Sequence, residues 1–177
     1  MTAADMAAAL QRVEALLQRR PEAGLHEDAP ATAHWHGGTR VVTRHANGTR
    51  VETDMPGELG GCGAGVTPGW LVRAGLAACA VTRIAMSAAS QGIELSVLEV
   101  RAGSRSDLRG LLGMPDASGA PVSAGPLEVQ LLVRIAAPGV EAARLRALVE
   151  DSQRCSPVSC ALQAAVPISV RIEVDGG

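Results

Sequence analysis

The feature that most constrains this chain is a long stretch bounded by two helix signals, Thr67-Pro68 and Gly92. Thr67 offers a side-chain oxygen for an N-cap. Pro68 suits the first helical position, where its missing N–H would have no intrahelical partner. Gly92 suits the C′ position, where the left-handed conformation disfavours any residue with a Cβ. These signals predict a helix from Thr67 to about Gln91, long enough that the rest of the fold must pack around it. It carries one thiol, Cys79. The segment before it, Met55 to Val66 (MPGELGGCGAGV), is glycine-rich and reads as a loop.

With 177 residues, 47% apolar and 19% charged, the chain can bury a core as one domain. A net charge of −2 argues against a nucleic-acid binder, which normally presents a basic face. Phe, Tyr and Lys are absent. A core without Phe or Tyr must be filled by Leu, Val, Ile, Met and Ala, so its elements approach closely, which favours burying further area by oligomerising. No apolar run is expected to span a bilayer, and the N-terminus lacks a basic region followed by an apolar one. Cys62, Cys79, Cys155 and Cys160 are therefore read as free thiols of a cytoplasmic protein with no membrane partner.

Along the chain, Thr2 to Arg20 reads as an amphipathic helix. Met6, Leu10, Val13 and Leu17 recur at helical spacing, and Thr2 with Asp5 resembles a capping box. With the breaker-rich linker Pro21 to Pro30 it forms a segment, 1–30, preceding the main domain, 31–177. A strand at Ala31–His36 and a hairpin with arms Thr39–His45 and Thr49–Thr53 follow. Asn47-Gly48 is expected to supply the positive φ angles of a tight turn. After the long helix, alternation predicts strands from Ile93 to about Ala102, Leu127 to Ile135 and Ile168 to Val174. Val140 to Arg154 reads as a helix with Leu145, Leu148 and Val149 inward, and a short helix follows Pro157. Neighbouring strands with helices packed on one face indicate an α+β fold.

Several patterns weigh towards structure rather than chemistry. His34 and His36 share a face of a strand, a geometry that binds metal, but no third ligand follows at a telling interval. The glycine loop lacks the GxxxxGK[ST] pattern of a nucleotide site; its glycines are expected to let the backbone pass close to a partner protomer. Asp107 and Arg109 read as a surface turn pair, Cys62 as a bystander, and the Leu10/Val13/Leu17 stripe as packing surface. Neither a cofactor nor a metal is expected.

The stretch TPGWLVRAGLAACAVTRIAMSAASQGIELSVLEV, Thr67 to Val100, resembles the central helix and following strand of the OsmC/Ohr family. The lead-in TDMPGELGGCGAG and the later SDLRG and CSPVSCAL segments resemble the same family in the same order. The resemblance covers the chain from about Ala31 onward and implies an OsmC-like fold. In that fold, antiparallel sheets wrap long central helices in an intertwined homodimer; here an N-terminal helix would be added. It also implies reduction of organic hydroperoxides by two cysteines, with a dithiol reductant restoring them.

Carried over by residue, the attacking cysteine falls on Cys79. Arg83 lies one turn further along the same face, and Arg73 nearly two turns back. The family's second cysteine precedes a proline; here Ser156 precedes Pro157, leaving Cys155 or Cys160 as candidate resolving thiols. The family's glutamate falls on Gly69, with Glu58 or Asp54 as possible substitutes. Its N-terminal arginine has Arg40, Arg44 and Arg50 as candidates. Two functions follow from this pattern. One is a thiol peroxidase acting through Cys79. The other is a catalytically impaired dimer that holds a small apolar ligand in the cleft beside Cys79, with Pro68, Trp70 and Leu71 at the mouth of the helix.

Overall fold

The structure, a computed structural model, describes residues 2–164 and 166–175. Helix α1 (Ala3–Arg19) starts as expected, with the Thr2 side chain accepting from the Asp5 N–H and Asp5 accepting in return from the Thr2 N–H. Strands β1 (Thr32–Trp35), β2 (Val41–Arg44) and β3 (Arg50–Thr53) form an antiparallel sheet in the order β1-β2-β3. The long helix α2 (Pro68–Ser90) follows. Strand β4 (Val97–Arg105), the one-turn α3 (Leu108–Leu111) and β5 (Glu128–Ala136) come next. Helices α4 (Ala142–Arg154) and α5 (Pro157–Gln163) complete the order. β4 and β5 pair antiparallel in a separate two-stranded sheet, with Glu99 opposite Arg134 and their charges joined at 2.7 Å.

α2 begins with the Thr67 side chain accepting from the Trp70 N–H at 3.2 Å. At its C-terminus Gly92, at φ 65°, donates to the Ala89 carbonyl while Ile93 donates to that of Ala88. This paired closure satisfies two carbonyls that the helix end would otherwise leave free. Ile93 then packs against Ala88 in the core.

The alternation in the sequence therefore misplaces the next strand. β4 starts at Val97 rather than Ile93, because Ile93 belongs to the helix cap. Its inward residues are Leu98, Val100 and Ala102, the opposite parity to the expected Ile93, Leu95 and Val97 series. In the β2–β3 hairpin only Gly48 has positive φ, so Asn47 does not share that role. Gly48 donates to the His45 carbonyl and His45 to that of Thr49, the pattern of a turn followed by a one-residue bulge.

The core lies between the C-terminal half of α2, α4 and the β4–β5 sheet. Ile84, Ala88, Ile93, Leu145 and Leu148 are buried, with Leu98, Val100, Val133 and Ile135 packed on them. α2 presents Leu76, Ala80, Ile84 and Ala88 as one i, i+4 stripe, and α1, α4, α5 and β4 pack against it. Only five of its 23 residues are buried within the chain. By length and hydropathy α2 does reach the range of a membrane-spanning helix, contrary to the sequence expectation; its packing against three helices and a strand suits a core helix equally well.

The strand expected at Ile168–Val174 is not formed. Those residues are assigned no helix or strand and pair with no strand among the described residues, and Ile168 and Val174 are 89% and 86% exposed.

The glycine loop is organised by a residue whose importance the sequence does not advertise. Asp54 is buried and accepts from the Thr39 hydroxyl (2.6 Å) and from the N–H groups of Met55, Cys62 and Ala64. The Thr39 and Cys62 donors above all hold its carboxyl down to about 2. Gly61 crosses so close to the Met55 carbonyl that a Cβ there would lie 1.8 Å from its oxygen. That glycine serves a close approach within the chain.

Candidate active site

Cys79 sits midway along α2, on the side facing α5. Its sulfur and the side chains of Thr82, Arg83 and Met86 line an open groove, whose other wall is Cys155 and Pro157. The 3.6-residue period puts Arg83 one turn beyond Cys79 and Met86 nearly two turns beyond, which explains why α2 supplies four of the lining residues.

The polar group that hydrogen-bonds the thiol stands where the family resemblance places a cysteine. Ser156 is fully buried, and its hydroxyl donates to the Cys79 sulfur at 3.2 Å. Ser156 is also the N-cap of α5, followed by Pro157 at the first helical position, yet its side chain caps nothing. Serine at this position normally accepts from an N–H of the first turn, worth about 1 kcal/mol. Here the hydroxyl is turned away to the sulfur. Sequence alone does not separate these two uses, since Ser-Pro is an ordinary helix start.

The other candidates divide cleanly. Cys155, at the C-terminal end of α4, lines the groove with Cys79; Cys160 does not, and its thiol faces the Arg154 carbonyl at 3.5 Å. All four cysteines are free, and Cys62 is held in the glycine loop through its N–H to Asp54. Arg83 lines the groove, whereas Arg73 points to another cleft and donates to the Ser104 hydroxyl at 3.2 Å. Arg40, Arg44 and Arg50 lie on or beside the β2–β3 hairpin, and none lines the groove. Pro68, Trp70 and Leu71 do not line it either.

Among the described residues of this chain, no carboxylate takes the place of a glutamate at Gly69. Asp54 is committed to the glycine loop by four donors, and Glu58 is exposed on a short 3-10 turn, Gly57–Leu59. A side chain at Gly69 would meet only Arg73 Nη1 at 3.7 Å and Thr67 Oγ1 at 4.0 Å. Among the described residues no group of three His, Cys, Asp or Glu side chains is placed to hold a metal ion. His34 is on exposed β1, and His36 lies just beyond its end, in the turn where its N–H bonds the Arg40 carbonyl.

Cys79 thus lies half-buried in an open groove, with the Ser156 hydroxyl on its sulfur and Arg83 and Cys155 among the other lining residues.

The comparisons with known proteins agree with this fold. An organic hydroperoxide resistance protein OsmC from Legionella pneumophila superposes with a TM-score of 0.57 at 24% identity, covering 78% of this chain and 91% of that one. An OsmC-like protein from Mycoplasma pneumoniae gives 0.65 at 16% identity over 80% and 91%. An organic hydroperoxide resistance protein from Elizabethkingia anophelis, with thiocyanate bound, gives 0.59 at 25% identity over 80% and 91%. No curated protein matches the sequence. The family profile described as OsmC-like protein matches residues 60–171, from the glycine loop to the C-terminal segment. The chain belongs to the OsmC-like family.

Proposed function

We propose that the protein reduces organic hydroperoxides through Cys79, as a homodimer. The observation that carries this reading is the 3.2 Å contact from the buried Ser156 hydroxyl to the Cys79 sulfur, beside Arg83 and Cys155 in one groove. The Ser156 hydroxyl is placed to donate to the sulfur, and a thiolate formed there is the nucleophile. Cys79 as thiolate attacks the outer oxygen of ROOH. The O–O bond breaks, the alkoxide leaves and takes up a proton to become ROH, and Cys79 is left as a sulfenic acid. A second thiol then attacks the sulfenic sulfur, forming a disulfide and releasing water. Cys155 is the thiol of this chain that shares the groove. A dithiol reductant returns both sulfurs to thiols and is itself oxidised to a disulfide.

Homodimerisation is supported by the large unburied surface of α2 and by the unpaired C-terminal segment. Free thiols suit the reducing conditions of the cytoplasm, the compartment we assign. The test is incubation of the reduced protein with cumene hydroperoxide, followed by mass mapping of each cysteine. Rapid oxidation of Cys79, lost in Cys79→Ser, supports the reading. Oxidation no faster than that of a free thiol overturns it.

A second reading is favoured by the serine at position 156, which removes a cysteine from the place nearest Cys79. In it the groove only binds a small apolar ligand. A Cys79→Ser variant separates the two, since a binder keeps its affinity and a peroxidase loses turnover.

A further inference from the structure

A second cleft lies towards the N-terminal end of α2 and shares no lining residue with the Cys79 groove. Its walls are mainly apolar: Val72 and Leu76 from α2, Val129 from β5, Leu162 from α5, and Pro126. One charged side chain enters it, Arg73, whose Nη1 donates to the Ser104 hydroxyl. No carboxylate pairs with Arg73 among the described residues, although six other ion pairs occur there.

The space beside the guanidinium is open because position 69 is a glycine. A Cβ built there would touch nothing closer than Arg73 Nη1 itself at 3.7 Å. A guanidinium facing an apolar cleft is partly stripped of water, and the partner that best repays this is a planar carboxylate taken in a two-pronged contact. Apolar walls beyond the charge accept an alkyl chain, and convergent polar groups at one end fix its orientation.

We propose that this cleft binds a medium-chain monocarboxylate, with its carboxylate on Arg73 and Ser104 and its alkyl chain between Val72, Leu76, Val129 and Leu162. The site is independent of whether Cys79 reacts. Charge complementarity selects the headgroup: Arg73 is the cleft's charged side chain, and no acid among the described residues neutralises it. The missing side chain of Gly69 leaves the room that the carboxylate takes.

The experiment is calorimetric titration of the full-length protein with octanoate and, separately, with 1-octanol. Octanoate should bind saturably and at least tenfold more tightly than the alcohol. Arg73→Met should weaken octanoate at least tenfold while leaving the alcohol unchanged. Gly69→Glu places a competing carboxylate beside Arg73 and should abolish octanoate binding with the melting temperature retained. Cys79→Ser should leave octanoate binding intact, so failure of this site and failure of the peroxidase reading are told apart. Equal binding of acid and alcohol, no octanoate binding at millimolar concentration, or full binding by Gly69→Glu overturns the proposal. So does an Arg73→Met variant whose assembly state changes while its octanoate affinity does not, because Arg73 would then serve a carboxylate of a second copy.

Discussion

The Ser156 hydroxyl donates to the Cys79 sulfur across 3.2 Å, joining the start of α5 to the middle of α2 over 77 positions of sequence. The contact makes Ser156 a donor to the sulfur where a cysteine would be a second thiol. Hydrogen bonds to charged groups are worth about 1.5–3 kcal/mol, and 1.4 kcal/mol is a factor of about ten. Ser156→Ala should therefore slow alkylation of Cys79 by iodoacetamide at pH 7 by about tenfold or more, with little change in melting temperature. Ser156→Cys should do the opposite of inactivating. Under cumene hydroperoxide the introduced thiol should form a disulfide with Cys79, seen as loss of two thiols and a linked peptide. Persistence of both thiols would mean that position 156 does not face the sulfur as described.

Arg83 should act on Cys79 through charge. An anionic alkylating agent is drawn to a guanidinium, and a neutral one is not. In Arg83→Met, the ratio of iodoacetate to iodoacetamide rates at Cys79 should fall by about three- to tenfold, the scale of a partly solvated charge contact. An unchanged ratio would remove Arg83 from the site, whatever its place along the groove.

The elements of this fold are legible in the sequence where a local signal suffices. Thr2 with Asp5, Thr67-Pro68 and Gly92 each mark a helix end through a bond or angle made within a few residues, and all three act as read. The site is legible only in part, because its contacts are remote in sequence. Cys79 is found through the helix that carries it. The role of Ser156 depends on where α5 lands, and a Ser-Pro pair reads equally well as an ordinary cap. Asp54 is similar: its donors Thr39, Cys62 and Ala64 come from both sides of the chain, and nothing in TDMPGELGG shows that they converge. The register of β4 is lost for the opposite reason, because Ile93 fits a strand pattern and a helix-cap contact equally well.

Asp54 sets a pH limit on the loop before α2. Its carboxyl titrates at about 2 in the folded protein against 3.8 as the ordinary value, the donors of Thr39 and Cys62 being the main cause. A depressed carboxylate stabilises the fold fully above its unfolded value, and that contribution is lost as pH falls through the folded one. Melting temperature should thus decline between about pH 4 and pH 2. Asp54→Asn, which keeps an acceptor but not the charge, should be less stable at pH 7 and lose less over that window. Parallel declines for the two proteins would assign the acid sensitivity to other carboxylates.

Gly61 tests the same loop sterically. A Cβ would fall 1.8 Å from the Met55 carbonyl oxygen and 2.8 Å from Thr39 Oγ1, so backbone rather than a flexible side-chain tip must move. Overpacking of this kind typically costs about 1–3 kcal/mol. Gly61→Ala should lower the urea midpoint accordingly, whereas Gly57→Ala, whose Cβ meets nothing within 4 Å, should leave it nearly unchanged.

The C-terminal segment carries the sharpest test of the proposed dimer. Ile168, Val170, Ile172 and Val174 alternate along the segment, yet each is at least 79% exposed and the segment pairs with no strand among the described residues. An alternating β-branched stripe with unpaired N–H and C=O groups is a template for another strand edge, and a two-stranded sheet such as β4–β5 offers such edges. Full burial of each of these side chains is worth about 1.5–3 kcal/mol, so docking onto a second copy would supply several kcal/mol to association. A chain ending after Pro167 should sediment as monomer at concentrations where the full chain is a dimer, and Val170→Asp should weaken the dimer more than a hundredfold without truncation. If both variants remain dimeric in sedimentation equilibrium, the segment does not hold two copies together, and the dimer must rest on the open surface of α2.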